Sequence, residues 1–185
     1  MDIIKLVLDK LKHEGINAIY ENSIIVWHDD NNEERYISEK DIDYSNGKLA
    51  WFQSSVTSNH LLRLLYNDEA FSWEPITYNH SFGCDCHLIE WHDDYLLFVY
   101  REKHDVYICV IKDKVVNNFH FYGEEITRKN DIFFFREYRS QSSNILKRLK
   151  LPELIQLETI TEEEASKEGV VIANIGYPND LRYNQ

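Results

Sequence analysis

Five short apolar runs, each rich in Val, Ile, Tyr and Phe, follow one another between residues 86 and 138 and are separated by charged turns. The runs are Cys86–Trp91, Tyr95–Arg101, Val106–Lys112, Val115–Tyr122 and Ile132–Tyr138. A parallel crossover needs about a dozen or more residues, so runs with such short connections are typical of antiparallel strands joined by hairpins. The pattern predicts an antiparallel β-meander of about five strands over residues 86–138.

The two faces of these predicted strands differ in polarity. Residues 95–101 and 106–112 are apolar at both odd and even positions, which predicts strands that are covered on both faces. The run from 115 to 122 instead alternates, and one of its faces carries Asn118, His120 and Tyr122. That partly polar face is the best candidate for an exposed or partner-binding surface of the sheet, and the alternative is that its residues serve only to pack the structure.

Helical spacing of apolar residues predicts α-helices outside the meander. Residues 2–14 form an amphipathic pattern that ends at Gly15, a residue suited to a left-handed helix cap. Residues 55–66 have a second apolar stripe. Residues 144–149 are expected to form a short helix that ends before Pro152. Thr161 begins a capping-box motif, which predicts a further short helix that ends near Gly169. We therefore expect an α+β fold in which an N-terminal helix, a second helix and short C-terminal helices cover the sheet.

The N-terminal region also contains hairpin signals. Apolar runs surround Glu21-Asn22, and Asn46-Gly47 is a dipeptide that suits a tight hairpin turn. At 185 residues the chain is expected to form a single α+β domain, 1–185. A division into an N-terminal α+β portion, 1–72, and a portion with the meander and C-terminal helices, 73–185, is the other arrangement considered.

The charge composition indicates which classes of partner the chain could bind. The chain has 20 Lys and Arg against 32 Asp and Glu, a formal net charge of −12. Because Lys and Arg supply most of the affinity for phosphate backbones, this charge argues against nucleic-acid binding and is compatible with a basic protein partner. Aromatic residues make up 14% of the chain, and Tyr and Trp are enriched at protein interfaces.

Other features predict a cytoplasmic protein. The three cysteines are an odd number, which does not suit a disulfide framework. The first fifteen residues carry several charges and lack the apolar core of a signal peptide. The longest apolar runs are far shorter than the roughly 20 residues that cross a bilayer, so no membrane association is expected.

Cys84, Cys86, His87 and His92 form the sharpest chemical cluster in the sequence. Thiolate and imidazole groups are zinc ligands, so the cluster is a candidate metal site or the site of a small enzyme. On a strand, however, Cys84 and Cys86 point to one face and His87 to the other. Cys109, in the middle of an apolar run, is expected to be a buried structural thiol.

No short signature of a nucleotide-binding protein, a serine hydrolase or a zinc protease is present, and no cofactor is predicted. The leading hypothesis is therefore an acidic, non-enzymatic protein-binding module, of the immunity or antitoxin type, that inhibits a basic toxin domain. The alternatives are a small enzyme or metal-binding protein that uses the Cys-His cluster, and a self-associating structural module. The candidate partner-binding residues are Asp93, Asp94, Asn118, His120, Tyr122, Glu124 and Glu125.

Overall fold

The computed structural model describes residues 2–55, 60–66, 69–75, 84–130, 132–140, 143–151 and 154–171. Within these ranges the chain forms two seven-stranded antiparallel sheets, two short α-helices and one 3-10 turn. Most of the protein is therefore antiparallel β-structure, with little helix to cover either sheet.

The first sheet contains the N-terminal strands. Their bounds are β1 Ile19–Glu21, β2 Ile24–His28, β3 Glu34–Ser38, β4 Ile42–Ser45, β5 Lys48–Ser55, β6 Leu61–Tyr66 and β7 Glu69–Trp73. The order is β1-β2-β3-β5-β6-β7, and β4 pairs with β5 outside this path. Asn46 and Gly47, both at positive φ, form the tight β4–β5 turn, and Ser45 pairs with Lys48 across it. This hairpin is the one that Asn46-Gly47 predicts.

The second sheet is a continuous meander in the order β14-β13-β12-β11-β10-β9-β8. Its strands are β8 Cys84–Trp91, β9 Leu96–Glu102, β10 Asp105–Lys112, β11 Val115–Lys129, β12 Ile132–Ser140, β13 Ser143–Lys150 and β14 Leu154–Ile160. The five predicted apolar runs are β8 to β12. Two further strands extend the sheet beyond the predicted five.

Two of the predicted helices are present. Helix α1 spans Ile3–His13, its first turn is capped by Asp2, whose carboxylate accepts a hydrogen bond from the Lys5 backbone N–H, and Gly15 follows at φ +83°. Helix α2 spans Glu162–Lys167. It begins with the predicted capping box, because the Thr161 hydroxyl accepts from the Glu164 backbone and the Glu164 carboxylate accepts from the Thr161 backbone.

The predicted helix-covered α+β fold with a five-stranded sheet is wrong. Residues 61–66 of the predicted second helix form β6, and residues 144–149 of a predicted C-terminal helix belong to β13; residues 56–59 lie outside the described ranges. Leu62 and Leu64 pack into one core and Leu65 into another. A strand that is buried on both faces has apolar residues at helical as well as alternating spacings, so periodicity favoured the wrong element.

Contacts divide the chain into two compact units. The first contains residues 1–103 and 107–118, and the second contains residues 104–106 and 119–185. In the first unit, β5 alternates between two cores: Ala50 and Phe52 pack with the aromatic residues of β9 and β10, whereas Leu49 and Trp51 pack against α1. The core of the second unit contains Phe134, Leu146, Ile160, Ala165 and Val170.

Candidate functional site

A cleft of about 410 Å³ opens in the first unit beside three turns of the two sheets. We call it the Lys48 cleft, after the lysine that begins β5. Three aromatic and two aliphatic side chains line it together with two lysines and four carboxylates. These residues are Lys48, Leu64, Tyr66, Glu69, Phe71, Trp91, Asp93, Asp94, Ile111, Asp113 and Lys114.

Tight turns place the polar residues at the cleft. Asp113 and Lys114, at φ +49° and +64°, form the two-residue connection of β10 and β11, a conformation typical of type I′ hairpins. The β8–β9 turn, which carries Asp93 and Asp94, is closed by a 2.9 Å bond from the His92 N–H to the Tyr95 carbonyl. These turns hold three of the four carboxylates at the edge of the cleft.

Lys48 is a buried cation in this cleft. Its exposed fraction is 8%, and its ammonium donates a hydrogen bond to the Asp93 carbonyl. The Nζ atom lies 5.1 Å from the ring centroid of Tyr66 and 5.5 Å from that of Trp91. Both distances are within the range at which an aromatic face attracts a cation. The two rings and the carbonyl therefore hold the ammonium in place.

Two of the four carboxylates are paired with lysines at the surface. Lys112 binds Asp94 and holds the pKa of its carboxyl below the usual range, and Lys114 does the same for Glu69. Asp93 is an exposed residue of the β8–β9 turn, and its carboxylate has no hydrogen bond or ion pair within the described residues. The same holds for Asp113 at the β10–β11 turn within that part of the chain. These two carboxylates are available to a partner.

The cleft therefore contains two of the seven predicted partner-binding residues, Asp93 and Asp94. Asn118 lies on β11, where its side-chain oxygen is 3.5 Å from the Cys109 sulfur and accepts a weak hydrogen bond from it. Glu125 also lies on β11, and its side chain is outside the described part of the structure.

The remaining candidates belong to the second unit, and each has a contact within it. His120 Nε2 lies 3.1 Å from Asp105 Oδ1. Tyr122 is only 8% exposed, although the strand pattern placed it on a partly polar face. Glu124 lies 3.4 Å from the buried guanidinium of Arg136. The structure thus gives these residues intramolecular contacts and does not place them in the Lys48 cleft.

The predicted Cys-His cluster is divided between the core and the surface. Cys84 and Cys86 are buried and His87 is exposed, with a bulge in the β8–β9 pairing between Cys86 and Leu88. Burial raises the pKa of both thiols well above the usual range. Because the thiolate is the nucleophile and the metal ligand, this environment disfavours both kinds of chemistry.

His92, the fourth member of that cluster, contacts other residues. Its ring stacks on Tyr95 with 4.6 Å between centroids, and its Nε2 lies 3.7 Å from a Glu90 oxygen. Among the described residues, no group of three or more His, Cys, Asp or Glu side chains is arranged to hold a metal ion. The metal-binding interpretation therefore gains no geometric support.

A second, larger cleft of about 580 Å³ also lies in the first unit. Two of its charged groups, Asp29 and Arg35, bind one another: the Asp29 carboxylate accepts hydrogen bonds from Arg35 Nε at 2.9 Å and Nη2 at 2.7 Å. Asp29 also accepts from the backbone N–H groups of Asn31 and Glu33. The Arg35 hydrogen bond, followed by these backbone contacts, holds the pKa of the Asp29 carboxyl below its usual range. The network organises the β2–β3 turn, so the Lys48 cleft is the stronger candidate for a binding site.

No pattern in the sequence marks Lys48, Tyr66, Trp91 or Asp113 as a site residue. The Asn46-Gly47 dipeptide is a local signal, because it predicts a hairpin turn that is followed directly by Lys48. The sequence does not predict that Lys48 lies beside Asp93. Lys48 and Asp93 are 45 positions apart in the chain, and no short motif marks their contact.

Asp41 is a buried carboxyl beside the thiol of Cys86. Its pKa is raised from 3.8 to about 6, mainly because burial disfavours the charged carboxylate. The folded chain therefore binds this proton more tightly than the unfolded chain, and stability falls as the pH rises from about 4 to 6. We expect Asp41→Asn to raise the free energy of unfolding by about 1–2 kcal/mol at pH 7 to 8, with the gain vanishing below pH 4.

Urea unfolding at several pH values measures this effect, with the Asp9→Asn variant of an exposed α1 residue as the control. The control should follow the parent chain at every pH. An Asp41→Asn variant that is less stable than the parent at pH 8 would show instead that the carboxylate makes a net favourable contact there.

The fold and the Lys48 cleft define a two-sheet antiparallel β protein with a partly acidic, aromatic-lined surface cleft. No protein-family model, curated protein or solved structure matches the chain. Within the described residues, no helix is long and apolar enough to span a membrane.

Proposed function

We propose that this chain is an acidic, non-enzymatic protein-binding module of the immunity or antitoxin type, which binds a basic protein domain in the cytoplasm. One observation carries the proposal. The available carboxylates of Asp93 and Asp113 line the same cleft as Tyr66, whose exposed fraction is 48%. An acidic rim beside an exposed aromatic ring is a surface that suits an arginine or lysine side chain of a partner.

The physical basis is complementary charge followed by aromatic contact. A net charge of −12 accelerates encounter with a basic domain and makes the association rate sensitive to salt. At the rim, an arginine can pair with a carboxylate through two hydrogen bonds and stack on a tyrosine face. Tyrosine and arginine are also the residues that most often dominate binding energy at interfaces.

The test compares two variants that carry the same change in charge. Asp93→Lys/Asp113→Lys alters the rim of the cleft, and Asp9→Lys/Glu21→Lys alters exposed residues of α1 and β1. Each full-length chain is used to capture proteins from extracts of the host cell at low and moderate salt, and a captured basic protein is then purified and titrated calorimetrically. We expect the rim variant to weaken binding by about 10- to 100-fold, and the control to weaken it by less than about 3-fold.

Two further measurements complete the test. Tyr66→Ser should leave the association rate constant nearly unchanged and increase the dissociation rate constant. The reason is that the ring contacts the partner only after the two proteins have met. Light scattering of the isolated chain over a range of concentrations separates partner binding from self-association. The proposal fails if no basic protein binds at either salt concentration, or if both charge-reversal variants weaken binding equally.

A further inference from the structure

Lys48 has more hydrogen-bonding capacity than the protein uses. An ammonium carries three N–H donors, and within the described residues Lys48 donates to a single acceptor, the Asp93 carbonyl. The side chain is nevertheless more than nine-tenths buried. A buried donor that lacks an acceptor is unfavourable, and the penalty is larger for a charged group. The cleft therefore contains a cation that a ligand could satisfy.

A second unsatisfied donor lies beside it. Trp91 lines the cleft, and its buried indole Nε1 has no hydrogen-bond acceptor among the described residues. The Trp91 ring centroid is 5.5 Å from the Lys48 Nζ atom. Native proteins satisfy most buried polar groups, so two such donors side by side in one cleft indicate a missing acceptor.

We infer that the Lys48 cleft binds a small molecule that combines one carboxylate with an apolar, ring-sized body. In this arrangement the carboxylate accepts hydrogen bonds from the Lys48 ammonium. The apolar body packs against Leu64, Phe71 and Ile111, which line the same cleft. A volume of about 410 Å³ is within the range of small-molecule sites, which are mostly apolar with a few polar groups that fix orientation.

The charges around the cleft are compatible with the binding of an anion beside Lys48. Asp94 and Glu69, which would repel a carboxylate, are neutralised by Lys112 and Lys114. Asp93 and Asp113 are exposed, so water and salt screen their charges. Lys48 is buried, and interactions of a buried charge are screened much less. The positive charge of Lys48 therefore dominates the electrostatic potential inside the cleft, while Asp93 and Asp113 keep its outer edge acidic.

Three probes of nearly equal shape test the sign of the ligand charge: phenylacetate, phenylacetamide and phenethylamine. Each is titrated into the full-length ¹⁵N-labelled chain, and the Trp91 indole N–H resonance is followed by NMR after its assignment with Trp91→Phe. We expect phenylacetate to shift this resonance saturably and to bind at least about 10-fold more tightly than the amide. Phenethylamine should be the weakest probe.

Lys48→Met keeps the apolar stem and removes the charge, and Lys12→Met, at an exposed residue of α1 outside the cleft, is the control for the loss of one positive charge. We expect Lys48→Met to weaken phenylacetate binding by at least about 10-fold and Lys12→Met to change it by less than about 3-fold. The probe series requires no variant, so the inference remains testable if Lys48→Met does not fold.

Tightest binding of phenethylamine would overturn the inference. The absence of a saturable shift by phenylacetate up to about 10 mM would overturn it as well. The inference does not depend on the proposed function. If the small probes do not bind, the inference fails, and the rim variants still test the binding of a basic protein. If no basic protein is captured, the proposed function fails, and the probe titrations still test the carboxylate site.

Discussion

Replacement of Phe98 by alanine is expected to lower the free energy of unfolding of the first unit by about 3–5 kcal/mol. Phe98 lies on β9 and is completely buried. Its ring lies 5.2 Å from that of Phe52, 5.3 Å from that of Tyr100 and 6.5 Å from that of Trp73, centroid to centroid. The substitution removes these aromatic contacts and leaves a cavity that the surrounding strands cannot fill without distortion.

Urea unfolding followed by tryptophan fluorescence measures this change, because all four tryptophans belong to residues of the first unit. Ile19→Ala is the matched control: Ile19 is 58% exposed on β1, and its truncation should change the stability by less than about 0.5 kcal/mol. If Phe98→Ala destabilised the protein by less than about 1 kcal/mol, the aromatic core would be less tightly packed than the structure shows.

The central strands were the most predictable part of the fold. Residues 95–101 and 106–112 are apolar on both faces, and a strand of this kind must be covered on both sides. The structure confirms this on β9, where Leu97 and Val99 are as completely buried as Phe98. Hairpin connections were equally predictable, because short turns between adjacent strands are determined by a few local residues.

Where periodicity was ambiguous, the sequence favoured the wrong element. The leucines of residues 61–66 fit a helical stripe, but β6 pairs with β5 and β7 and divides these leucines between two cores. Tertiary pairing, which a local pattern does not contain, overrides helical propensity. A local pattern could not predict the binding site for the same reason. Lys48, Tyr66 and Trp91 lie on different strands and come close together only in the folded sheets.

Gly123 is a position where the backbone leaves no room for a side chain, and Gly123→Ala is expected to destabilise the second unit by more than about 3 kcal/mol. Gly123 pairs with Glu137 on β12, and its N–H donates a 2.7 Å bond to the His104 carbonyl. A Cβ atom at this position would lie 1.9 Å from the carbonyl oxygen of Arg136. Because the obstacle is backbone, relief requires the β11–β12 pairing to separate locally.

Hydrogen exchange of peptides from β11 and β12 reports this loss directly, because amides of a separated ladder exchange faster. Gly47→Ala is the matched control. Gly47 has a positive φ of +82°, but among the described residues no atom lies within 4 Å of the place that an added Cβ would take. Alanine there meets only backbone strain of about 1 kcal/mol, so the two variants separate steric exclusion from conformational strain. Equal protection of β11 and β12 in Gly123→Ala and the parent would show that the strands can move apart at this position without loss of stability.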